Sequence, residues 1–85
     1  MKVIKRNGRE QKFDLDKIKI SIERASDDTK IPLTRSDSEN ISKKIEKDIL
    51  RDYKEFINYT QIRKVVEKNL VKEGFEKIAE AYKNI

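Results

Sequence analysis

The chain has 85 residues, 35% of them hydrophobic and 44% charged, which is enough for one small domain with a thin core and too little for a cofactor domain joined to a substrate domain. It has no Cys and no His, so a disulfide framework, a thiolate nucleophile, an imidazole base and the usual zinc ligands are all excluded, and most enzyme chemistries with them. The formal charge of +5 sits at one end: residues 1–24 carry eight cations and four anions, the other 61 residues 13 cations and 12 anions.

Residues 1–13 read as a β-hairpin, with a β-branched stretch at Val3-Ile4, a type I′ turn at Asn7-Gly8 and a second strand through Gln11-Lys12-Phe13. Asp14 is placed to cap a first helix whose Leu15, Ile18, Ile22 and Ala25 follow the helical period, with a loop over 27–34 around Pro32. Ser36 and Glu39 form a capping-box pair for a second helix, carried by Ile41, Ile45 and Ile49 to about Leu50. The period breaks over 51–59, where Phe56-Ile57 suits a short third strand beside the hairpin. Thr60 caps a third helix with Ile62, Val65, Val66 and Leu70 inward, ending near Gly74, and Phe75, Ile78, Ala79, Tyr82 and Ile85 share one stripe of a fourth. The expected fold is α+β: one domain over 1–85, a four-helix cluster capped by an N-terminal hairpin.

Two glycines, Gly8 and Gly74, rule out both the phosphate loop and the dinucleotide fingerprint, so any phosphate must be held by side chains. Lys5 and Arg6 adjoin the turn and Lys17 lies in the first turn of the next helix. A hairpin folded against that helix gathers them into a point charge beside a planar fork, suited to a polyphosphate. Asp14 and Asp16 are two apart and face different sides of a helix, which fits capping better than acid–base or metal chemistry. The serines have no histidine to activate them, and Tyr53, Phe56, Tyr59, Phe75 and Tyr82 read as core or core edge. A rival class is a small basic nucleic-acid-binding module. Against it, Glu10, Asp14, Asp16 and Glu23 interrupt the N-terminal cations, and no recognition-helix motif is present. No apolar run reaches the roughly 18 residues of a membrane span and no secretory signal opens the chain, so a soluble, cytoplasmic protein is expected.

The run Val3-Ile4-Lys5-Arg6-Asn7-Gly8-Arg9, then Phe13-Asp14, then Lys17-Ile18 resembles the opening signature of the ATP-cone domain. The resemblance extends through Thr60-Gln61-Ile62 and Ile78-Ala79-Glu80-Ala81-Tyr82. It implies a regulatory module of ribonucleotide reductases and their transcriptional regulators, one that binds ATP or dATP, with or without Mg2+, and does not hydrolyse it. On that basis Lys5, Arg6 and Lys17 contact phosphates, Gln11, Phe13 and Asp14 grip adenine, and Val3 and Ile18 are apolar walls. Tyr59 stands where the family often has a small hydroxyl residue near the nucleotide, and Arg63 lies one turn further on; the larger Tyr59 leaves the choice between ATP and dATP open. Binding is then expected to alter self-association or docking onto a reductase or regulator chain. The surface expected to carry that change is the last two helices, where Lys68, Lys72, Lys77 and Lys83 alternate with Glu67, Glu73, Glu76 and Glu80.

Overall fold

Two three-residue strands, β1 (Lys2–Ile4) and β2 (Glu10–Lys12), open the computed structural model, which describes residues 1–83. They pair antiparallel with Val3 opposite Gln11. The loop between them is not the type I′ turn that Asn-Gly predicts. Gly8 has φ +82°, but Asn7 is not among the positive-φ residues, and the Gly8 N–H donates to the Lys5 carbonyl at 2.9 Å. The Lys5 N–H in turn donates to the Arg9 carbonyl at 2.8 Å. This is a three-residue loop, a turn through Arg6 and Asn7 followed by a left-handed glycine, and it needs one positive φ where type I′ needs two. The Asn7 side chain accepts from the Arg9 N–H at 3.1 Å, which steadies the bend. Arg6 therefore lies inside the loop, not ahead of it.

The third strand is present as β3 (Phe56–Asn58), parallel to β1 with Val3 opposite Ile57, so the sheet is mixed with order β2-β1-β3. Alternation along β3 sends Ile57 inward and leaves Phe56 45% exposed, so Phe56 is not the core residue its aromatic ring suggests.

Four helices complete the α+β fold: α1 (Leu15–Thr29), α2 (Arg35–Asp52), α3 (Tyr59–Lys72) and α4 (Glu76–Lys83). Asp14 caps α1, its carboxylate accepting from the Asp16 N–H at 3.0 Å. Helix α1 runs past the expected end at residue 26 and stops at Lys30 in the left-handed region, φ 57°. The buried Ser26 hydroxyl donates to the Ile31 carbonyl at 2.6 Å and folds the chain back. The capping box of α2 is Thr34 with Asp37, not Ser36 with Glu39, and α2 continues to Asp52. That of α3 is Asn58 with Gln61, while Thr60 donates to the Asn58 side chain at 2.6 Å instead of capping.

Ile22, Ile45, Ile49, Val66, Leu70 and Ile78 are fully buried, and Ile41 and Ile57 nearly so, in a single cluster built by all four helices and β3. Each such side chain contributes about 1.5–3 kcal/mol by leaving water. Ile85, assigned to the same stripe as Ile78 and Tyr82, lies outside the described residues.

Candidate functional site

The sheet register builds the site. Because β1 runs parallel to β3 with Ile4 opposite Asn58, the chain leaves β1 as Lys5-Arg6 at the same end where it leaves β3 as Tyr59, the first residue of α3. Phe13 and Asp14 then turn from β2 into α1, and the Phe13 N–H donates to the Met1 carbonyl at 3.1 Å. Between the hairpin and the helices lies a cleft of about 370 Å³. All ten residues singled out in the sequence line it: Val3, Lys5, Arg6, Gln11, Phe13, Asp14, Lys17, Ile18, Tyr59 and Arg63.

Four further lining residues are Lys12, Ser21, Ile62 and Tyr82. Lys12 ends β2 beside Phe13, and for the other three the signal is helical phase. Ser21 follows Lys17 and Ile18 on one face of α1 with the Asp14 cap below, and Ile62 and Tyr82, read as core, close the inner end of the cleft. The Ser21 hydroxyl donates to the Lys17 carbonyl at 2.9 Å. Burial pushes the Tyr82 phenol above its ordinary value of 10.0, with Glu67 adding in the same direction and Arg63 and Ser21 opposing. Tyr82 is therefore a neutral polar atom on an otherwise apolar floor.

Five cations, Lys5, Arg6, Lys12, Lys17 and Arg63, border the cleft against the single carboxylate of Asp14, and one oxygen of that carboxylate is engaged in capping. Val3, Phe13, Ile18 and Ile62 supply apolar wall. The Arg6 guanidinium carbon lies 5.5 Å from the centre of the Tyr59 ring, a cation–π contact between the hairpin loop and α3. A cleft lined by apolar side chains and bordered by cations suits a ligand that joins an apolar body to anionic groups. Among the described residues, no group of three or more Asp or Glu side chains is placed to hold a metal ion.

A protein-family model described as the ATP cone domain matches residues 1–84. The chain belongs to the ATP cone family. No curated protein matches the chain closely enough to count as a relative. Membership makes this cone a nucleotide-binding regulatory domain of a kind that is not catalytic. No helix among its described residues is long and apolar enough to cross a membrane.

Proposed function

We propose that this cone binds ATP or dATP in the cleft between hairpin and helices, without hydrolysis, as the regulatory element of a ribonucleotide reductase or of a regulator of one, in the cytoplasm. The observation that carries the reading is that Lys5, Arg6 and Lys17 line a single cleft together with the apolar Val3, Phe13, Ile18 and Ile62. Lys5 and Lys17 act as point charges and Arg6 as a fork on the phosphates. Val3, Phe13 and Ile18 sandwich the base, and Gln11 and Asp14 offer it hydrogen-bonding groups at the entry to α1. An accompanying Mg2+ is carried by the phosphates, in keeping with that ion's preference for substrate oxygens and water.

Calorimetric titration with ATP, dATP and a random-sequence DNA duplex tests this directly. Saturable binding of the adenine nucleotides, with no more than weak, salt-sensitive binding of the duplex, is expected; preference for the duplex overturns the reading in favour of a nucleic-acid module. Regulation requires that the nucleotide favour one assembly over another. The exposed Lys68, Lys72, Lys77, Lys83, Glu76 and Glu80 on α3 and α4 are the surface through which it acts. Glu73 is not part of that surface, since it pairs with Lys44 of α2.

A further inference from the structure

The contact between Arg6 and Tyr59 carries the joining of hairpin and α3 one step past the β1–β3 ladder, which ends with Ile4 opposite Asn58. Arg6 is an exposed residue of a three-residue loop, and a free arginine there samples many rotamers that a bound phosphate must freeze. Tyr59 is half-buried at the first position of α3, inside the Asn58–Gln61 capping box, so the backbone that carries its ring is held in place. A guanidinium stacked on a ring uses its face for that contact and keeps its in-plane N–H donors available along the edge.

Resting on the nucleotide-binding reading above, we propose that Tyr59 is a positioning residue: its ring holds Arg6 in place at the cleft so that the guanidinium edge meets the ligand's phosphates with little ordering left to do. Tyr59 acts through Arg6, and the hydroxyl is dispensable. The device needs a planar cation, so a lysine at position 6 keeps the charge and loses the stacked fork.

The test is a set of ATP titrations on the full chain with Tyr59→Phe, Tyr59→Leu, Arg6→Ala and the double variant Arg6→Ala/Tyr59→Leu, each first shown to unfold at the wild-type temperature. Tyr59→Phe should bind within about twofold of wild type, and Tyr59→Leu about threefold to tenfold more weakly. The double variant should be no weaker than Arg6→Ala alone. Equal losses in Tyr59→Phe and Tyr59→Leu overturn the proposal, and so does an additive double variant, which would mean that the ring touches the ligand itself. The side-chain proton resonances of Arg6 supply a readout that needs no ligand: a ring-current shift present in wild type and Tyr59→Phe and absent in Tyr59→Leu. A wild type with that shift but no affinity for adenine nucleotides overturns the binding reading, and the positioning role with it, while leaving the contact itself intact. Absence of the shift in wild type removes the contact and overturns the positioning role, while the binding reading stands.

Discussion

Every helix contributes side chains that are wholly out of water, from Ile22 in α1 to Ile78 in α4, whereas not one residue of β1, β2 or the loop between them is buried. The hairpin is held by its ladder to β3, by the Lys2 N–H donating to the Glu55 carbonyl at 2.9 Å and by partial packing of Met1, Val3 and Phe13 on the core. Its surface ion pair, Lys2 with Glu10 at 3.5 Å, is solvent-exposed and adds little. Stability therefore resides in the helices, while Lys5, Arg6 and Gln11 come from a segment that buries no residue of its own. Such elements open at lower free energy than the core. A ligand gripped from both sides supplies the contacts that the hairpin lacks, so binding energy at the cleft becomes order in the hairpin.

The largest separation between the two regions is expected in truncation variants followed by thermal unfolding. Ile45→Ala, at a fully buried site in α2, should cost about 2–5 kcal/mol, whereas Val3→Ala should cost a fraction of that and weaken nucleotide binding. Equal costs would mean that the hairpin is part of the cooperative core. Next in size, Arg6→Ala should weaken ATP binding about tenfold to hundredfold in a titration while leaving the unfolding temperature in place, because the residue is exposed and its charge-assisted contacts are made to the ligand.

Two buried polar residues sharpen the picture of the helical side. The Asn69 amide of α3 donates to the Asp48 carboxylate of α2 at 3.0 Å and to the Val65 carbonyl at 2.9 Å, so Asn69→Ala should destabilise by about 1–2 kcal/mol in denaturant unfolding. Ser42, 2% exposed in α2, has a buried hydroxyl with no hydrogen-bond partner, and Ser42→Ala should be neutral or stabilising by up to about 1 kcal/mol. The smallest effect is one of pH. Because burial raises the folded-state value of Tyr82, its contribution is fully present below the ordinary value of 10.0 and is lost as pH rises through the folded value. Tyr82→Phe should therefore lose stability less steeply than wild type above about pH 10 in chemical-denaturation curves.

The helical cluster was legible because isoleucines at fourfold spacing admit only one buried face, and Asp14 is an unambiguous cap directly before the first of the periodic residues. The other caps differ from expectation for a local reason: Ser36-x-x-Glu39 satisfies the same pattern as Thr34-x-x-Asp37, and Thr60 is a good capping residue type two positions after Asn58. The choice is made by tertiary contacts, Leu33 and Ile31 packing on the core in one case and Asn58 pairing with Ile4 in the other. The turn type was missed because Asn-Gly serves both two-residue and three-residue loops, and the ladder closing at Lys5 and Arg9 decides between them. The cleft was foreshadowed by the motif of the hairpin, but its floor was not. Ile62 and Tyr82 belong to elements whose arrangement around the hairpin is set by the parallel pairing of β1 and β3, a long-range contact that no local spacing encodes.

The coupling of ligand to hairpin is tested most directly by amide hydrogen exchange on the full chain with and without saturating ATP. Protection is expected to rise at β1, β2 and the N–H groups around Arg6 and Tyr59, with the slowest core amides of α2 and α3 moving only as much as global stabilisation requires. Bound ATP with unchanged exchange in the hairpin, or with new protection confined to the loop between α1 and α2, would contradict the account.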